Sequence, residues 1–419
     1  MWTAISTPFW IAVSRIGVGV VFAHLLVTLL PEARQHIGDG SLSGGTWLGT
    51  FDNWDSIYYT SIAQHAYSTA TANISYTAFF PGYPLLIAAV HAISFGTLDY
   101  VDSAMAVSWL ALTGAAIVLY RLVARLFSVR VALIATVLFC WFPASLFYLA
   151  PYSEALFALE ILVVVALIER KAFLAAAIVA AYASATSPES IALTLALMIA
   201  AYLAGKGLQW VAAYGAISIT GLVAYMLYLW GRVHHPLEFI TVQKFWHRSE
   251  NLPLVGLFRN ITALRHFFVG PGEPPGAALP TYANIKYMWL LDDASLALAT
   301  ILLFALIGMW VVRSRRARAT TGADGLLLGT EHSRIPTSFV VVAAVIVLLA
   351  ACTTIYPYGL STYASTEGEA RFVSIVFPLY VAAALLIRRH AVLIAWAVGG
   401  CVALALLYQA LFNLGYWVT

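Results

Sequence analysis

Two carboxylates three residues apart, Asp52 and Asp55, stand in a run that is otherwise rich in rings, FDNWDSIYY. A carboxylate beside aromatic side chains and close to apolar chain is placed to take a proton from an incoming hydroxyl, the work of a general base. Trp54, Asp55, Tyr58, Tyr59 and Ile62 recur at helical spacing, which predicts a helix over 53–67 lying in a membrane interface. Asp52 precedes it in the place of an N-cap. A capping carboxylate accepts backbone N–H bonds that stabilise its charged form and lower its basicity. Asp55 has no such obligation and is the candidate base.

Four other stretches carry residues that could do chemistry. Phe79-Phe80-Pro81-Gly82-Tyr83-Pro84 is a rigid aromatic corner, read either as a kinked entry into a membrane or as one wall of a site with Phe80 and Tyr83. Tyr152, Ser153 and Glu154 open an apolar run; Glu154 is either a carboxylate favoured by a helix N-terminus or part of a site. Lys244, His247 and Arg248 cluster with His234, His235 and Glu238, and Arg371 sits before another apolar run. These cations suit phosphate recognition, with a solvated loop and an interfacial anchor as the alternatives. The histidine spacing fits no zinc pattern, and no metal is expected.

The elements that must position these residues are apolar. Of 419 residues, 62% are hydrophobic and 10% charged, and mean hydropathy is +0.86. A soluble chain carries about 25% charged residues, so the fold class is an all-α polytopic membrane protein. A net charge of +3 without a basic stripe excludes a nucleic-acid partner. Cys140, Cys352 and Cys401 lie in apolar runs without metal-ligand spacing. Segments near the roughly 20 residues a helix needs to cross fall at about 9–30, 103–122, 131–149, 154–169, 172–187, 189–205, 208–230, 294–312, 337–354, 372–387 and 391–412, about 11 transmembrane helices in one domain, 1–419.

Segment 78–95 decides the topology. If it does not cross, Arg121, Arg125 and Arg130, Arg170 and Lys171, Lys206, the Arg313–Arg318 cluster, and Arg388 with Arg389 all fall on the cytoplasmic side, as the positive-inside tendency favours. That choice puts the N-terminus inside. Loops 31–102 and 231–293 are then extracytoplasmic and 313–336 is a cytoplasmic linker. The anchors lie inside and the chemistry outside. A buried Arg15–Glu160 pair is conceivable, since intramembrane charges are costly and usually paired.

Trp54-Asp55, Ile62-Ala63, Ala66-Tyr67 and Ala78-Phe79-Phe80-Pro81-Gly82-Tyr83-Pro84-Leu85 together resemble the first outer loop of the GPI mannosyltransferase II family. Pro143 to Leu149 followed by Tyr152-Ser153-Glu154-Ala155-Leu156-Phe157-Ala158-Leu159 resembles its second motif, and Arg371-Phe372 with Phe377-Pro378 a weaker third. The resemblance implies a GT-C-type glycosyltransferase of the plasma membrane with an extracytoplasmic site. Its donor would be polyprenyl-phosphate mannose, its acceptor a glycolipid or other envelope hydroxyl, and it would need no cofactor. Asp55 inherits the base role, and Arg371 is the first choice to meet the leaving phosphate, with Lys244, His247 and Arg248 behind it. Asp52, Trp54, Tyr58, Tyr59, Phe80, Tyr83, Tyr152, Ser153, Glu154, Lys244, His247, Arg248 and Arg371 are the substrate-binding candidates. Two departures stand out: Ala66 where the family often has Gly, and Ser187-Pro188-Glu189 where it tends to have an Arg-containing turn. The rival reading is a lipid or solute transporter or flippase, which commonly shows paired broken helices.

Overall fold

A computed structural model describes residues 3–30, 47–67, 74–246, 248–250, 281–321, 334–355 and 369–415. The apolar runs are helical: α1 (Thr3–Leu29), α4 (Tyr100–Leu126) and α5 (Val129–Cys140), then α6 (Glu154–Ile168), α7 (Phe173–Thr186) and α8 (Ile191–Leu203). Between α1 and α4 lie the short α2 (Ser56–His65) and α3 (Gly82–Ile93). After α8 come α9 (Leu208–Ser218), α10 (Thr220–Val233) and α11 (Glu238–Thr241). The C-terminal part holds α12 (Thr281–Thr321), α13 (Thr337–Cys352), α14 (Glu369–Ser374), α15 (Phe377–Ile387) and α16 (Ala391–Asn413). Two three-residue strands, β1 (Arg248–Glu250) and β2 (Thr353–Ile355), pair antiparallel.

Among the described residues, Ile5–Leu29, Tyr100–Leu126, Ala294–Arg315 and Ala391–Asn413 are each long and apolar enough to cross a bilayer. The pair α9 and α10, bent by 47°, makes a fifth if taken as one span. The other apolar helices are shorter, so the expected count of 11 is not confirmed among the described residues. Segment 78–95 forms a 12-residue helix, α3. At 1.5 Å per residue it is about 18 Å long, short of a roughly 30 Å hydrocarbon layer. With so many apolar helices, this is an integral membrane protein.

The core is built on α4, which packs against α1, α3, α5 and α6; α6 in turn packs on α7 and α8. α15 lies against α5 and α12, and α16 against α1. Asp99 caps α4 by accepting the Asp102 N–H at 2.7 Å. Charges inside this core are solvated by polar partners rather than by each other. Arg15, fully buried, donates to Ser145 Oγ and Gln409 Oε1, each at 2.9 Å, and lies 5.3 Å from the Trp141 ring centre. Glu160 accepts from Thr186 Oγ1 at 2.9 Å. The Arg15–Glu160 pair therefore does not form.

The aromatic corner is a packing joint. A Cβ at Gly82 would meet Thr186 Oγ1 at 2.4 Å and the Ala185 carbonyl oxygen at 2.9 Å. Only glycine lets α3 approach α7 so closely. The Tyr182 hydroxyl fastens the contact by donating to the Gly82 carbonyl at 2.6 Å. Tyr83, fully buried, donates to the Ala104 carbonyl at 2.8 Å and shares a 2.7 Å bond with Ser108.

α2 begins at Ser56, so Asp55, not Asp52, holds the N-cap position, and its side chain makes no capping bond. At its far end Ala66 takes φ 52° and ψ −152°, a conformation open chiefly to glycine. Alanine at this position therefore has a physical cost. Ala66→Gly is expected to stabilise the protein by about 1 kcal/mol, read as a higher unfolding midpoint in detergent.

Candidate functional site

The site assembles from three distant parts of the chain. The Arg371 guanidinium on α14 reaches Asp55 at the head of α2 and Glu154 at the head of α6. Nη1 donates to Asp55 Oδ2 at 2.6 Å, and Nε pairs with Glu154 Oε1. The Arg371 and Glu154 side chains are 11% and 7% exposed, while Asp55 is more open at 21%. The guanidinium carbon also lies 5.3 Å from the Tyr152 ring centre, 5.3 Å from Phe372 and 5.8 Å from Phe147. A cation over ring faces is attracted by their quadrupoles. Two carboxylates thus share one guanidinium.

Local backbone explains the presentation of Asp55. Trp54 sits at φ 59°, a left-handed conformation that costs a bulky residue roughly 1–3 kcal/mol. The turn frees the Asp55 carboxylate from its own helix and aims its backbone N–H at the Tyr152 hydroxyl, 3.2 Å away. That hydroxyl donates onward to the Asn53 carbonyl at 3.1 Å. Tyr59 and Ser153 share a 2.9 Å bond between the same two segments. Tyr152 is held from behind as well, its carbonyl accepting from Ser108 Oγ at 3.3 Å. Trp109 Nε1 secures the same turn by donating to the Leu149 carbonyl at 3.0 Å.

Rings form one wall. Tyr58 stacks on Phe79 with centroids 4.6 Å apart and planes within 8°, and Tyr76 meets Tyr58 edge-on at 5.0 Å. Tyr59 touches Phe79, Tyr83 and Tyr152. Phe80 is buried one layer further off, against Tyr225 and Phe239.

Asp52 stands apart from the cluster. It is buried, accepts from Ser56 Oγ at 2.9 Å, and burial pushes its carboxyl up to about 6; the Ser56 bond opposes that shift and nearby Asp99 adds to it. The expected N-cap role is replaced by a side-chain bond to the first helical residue. Lys244 is exposed on the short helical turn Val242–Trp246, which packs against Ile74–Ala78 of the first loop. Arg248 enters β1 through its backbone, opposite Ile355; His247 lies outside the described residues. No group of three potential metal ligands occurs among the described residues.

The structure thus brings together Asp55, Tyr59, Tyr152, Ser153, Glu154 and Arg371, with Trp54 and Tyr58 beside them. Sequence reasoning passed over Asp292, which is buried and accepts the Ala370 N–H at 3.0 Å immediately before Arg371. The available signal was an Asp-Asp pair at the head of an apolar run. It also passed over Asn53 and Asn413, whose amides donate to the Thr50 carbonyl at 2.8 and 3.0 Å and fix the loop ahead of Asp55.

Residues 41–206 match the family model described as Mannosyltransferase (PIG-V). The matched segment contains Asp55, Tyr59, Tyr152, Ser153 and Glu154 but not Arg371, which reaches it from the C-terminal part. The resemblance seen around Trp54-Asp55 and Tyr152-Ser153-Glu154 is borne out over this segment. Together with the apolar helices, the match supports a membrane glycosyltransferase. No curated protein matches the chain significantly. The crystal structure of the Archaeoglobus fulgidus oligosaccharyltransferase, a complex with Zn and sulfate, is similar at 14% identity and a TM-score of 0.45, over 95% of this chain and 53% of that one. The chain spans about half that protein's length.

The burial of Asp52 makes a pH prediction. Its folded carboxyl titrates near 6 against an ordinary 3.8, so the folded state binds the proton more tightly. Stability therefore falls as pH rises between these values and stays lower above them. Asp52→Asn, which keeps an acceptor for Ser56, is expected to flatten that slope. Above pH 6 it should gain up to roughly 3 kcal/mol, measured by thermal unfolding at a series of pH values.

Proposed function

We propose that this protein is an inverting mannosyltransferase. It moves mannose from a polyprenyl-phosphate donor to a hydroxyl of a glycolipid or other envelope acceptor on the extracytoplasmic face of the plasma membrane. The observation that carries the proposal is the Asp55–Arg371–Glu154 cluster, two of whose three members lie in the segment that matches mannosyltransferases. Asp55 has the geometry of a base. Arg371 holds Oδ2, and among the described residues no hydrogen bond occupies Oδ1. Asp55 is also the most exposed of the three side chains.

The acceptor oxygen attacks the anomeric carbon while its proton passes to Asp55. The bond from that carbon to the phosphate oxygen breaks on the opposite face, and its electron pair leaves with the polyprenyl phosphate. Attack opposite the leaving group inverts the centre, turning a β-linked donor into an α-glycoside. Because the leaving group is already activated, the chemistry asks mainly for positioning and charge. Arg371 fixes the base, and its charge is divided between two carboxylates. Recognition of the departing phosphate falls more on Lys244, with His247 and Arg248 adjacent in sequence. The Tyr58, Tyr76 and Phe79 rings offer flat faces on which a sugar can rest. Glu154, also tied to the guanidinium, orients Arg371 and balances Asp55 across it.

The test is transfer of mannose from polyprenyl-phosphate mannose to extracted membrane lipids, with the product identified by mass spectrometry. Asp55→Asn is expected to lower kcat by about 10²–10⁴-fold in protein that still folds and binds the donor. Near-normal turnover in that variant would remove Asp55 from the role. Counterflow of a labelled lipid without any new glycosidic bond would favour the transporter reading instead.

A further inference from the structure

Arg371 lies on α14, a helix of six residues, too short to hold its own direction by intrahelical bonds alone. Both of its ends are fastened from outside. At the C-terminal end, Ser374 is fully buried and its carbonyl accepts from two hydroxyls, Tyr148 at 2.6 Å and Tyr380 at 2.8 Å. Ser374 Oγ turns back to the Arg371 carbonyl at 2.6 Å. At the N-terminal end, the Asp292 carboxylate on α12 accepts the Ala370 N–H at 3.0 Å. Asp292 is 1% exposed and Ala370 1% exposed, so water does not substitute for this bond. An acidic group at a helix N-terminus is also favoured by the backbone dipoles. The Ala370 amide is one peptide from the α-carbon that carries the guanidinium. A change of direction there displaces Nη1 and Nε together, and with them the carboxylates they hold.

We infer that Asp292 is a positioning residue for transfer. Through the Ala370 amide it sets the direction of α14, so that the Arg371 guanidinium forks between Asp55 and Glu154. It touches neither substrate nor reacting atoms. The inference rests on the proposed transferase reading for its kinetic consequence, but not for its structural one.

The experiment compares Asp292→Ala, Asp292→Asn and Arg371→Lys, alone and combined, in the full chain. Mannose transfer is assayed with polyprenyl-phosphate mannose and extracted lipids, and hydrogen exchange is followed over 369–374. Asp292→Ala should lower kcat at least tenfold with KM within about threefold of the parent, and should speed exchange in 369–374. Asp292→Asn, which keeps the acceptor oxygen, should restore both. In the Arg371→Lys background, Asp292→Ala should add no more than twofold, because the fork it aims is gone. An Asp292→Ala protein with parental kcat would overturn the inference. So would a kcat loss with unchanged exchange in 369–374, or fully additive losses in the double variant. If Asp292→Ala does not fold, Asp292→Ser takes its place under the same criteria. Should the parent protein transfer no mannose, the transferase reading falls, while the exchange comparison still decides whether Asp292 holds α14.

Discussion

One guanidinium shared by two carboxylates is the constraint on which the rest of the site depends. Arg371 ties α14 to the heads of α2 and α6, and all three side chains are largely removed from water. Removing the guanidinium would leave two carboxylates facing each other without a cation in a poorly solvated place, at a cost of roughly 3–5 kcal/mol. The arrangement therefore holds only if the surrounding structure delivers each partner accurately. Fixed loops meet that demand: Tyr152 bridges to Asn53, Tyr59 to Ser153, and Asn413 to Thr50. Regular helices supply the walls, and these side-chain bonds supply the aim.

The same cluster gives chemical sense to its surroundings. On the proposed reading, a guanidinium held by two carboxylates serves the base rather than a phosphate. Lys244 stands on a turn packed against the first loop.

Much of this was legible in the residues, and the omissions have physical causes. Apolar runs and sparse charge announced helices in a membrane because neither depends on tertiary context. Tyr152-Ser153-Glu154 and Trp54-Asp55 stood out because polar groups beside apolar runs are rare. What sequence did not convey was pairing across long separations. Asp55 meets Arg371 316 residues later, and spacing carries no signal at that distance. The N-cap was placed at Asp52 because a carboxylate before a helix usually caps it. The left-handed turn at Trp54 moves the helix start by one turn, and no composition rule anticipates that. The Arg15–Glu160 pair failed for a related reason: hydroxyls and an amide were nearer than the opposite charge.

Arg15 has a consequence for how the chain is made. Its two hydrogen-bond acceptors, Ser145 and Gln409, are synthesised later, the second 394 residues later. At 5–20 residues per second, the ribosome reaches Gln409 roughly 20–80 s after Arg15 emerges. Throughout that interval α1 carries an arginine without its full set of acceptors, against a burden of about 2.5–3.5 kcal/mol for an arginine at a helix centre on the insertion scale. The apolar residues around it must outweigh that burden, or α1 must wait beside the insertion machinery until α16 arrives. Assembly around Arg15 is thus completed where α1 meets α16, a helix made long after it.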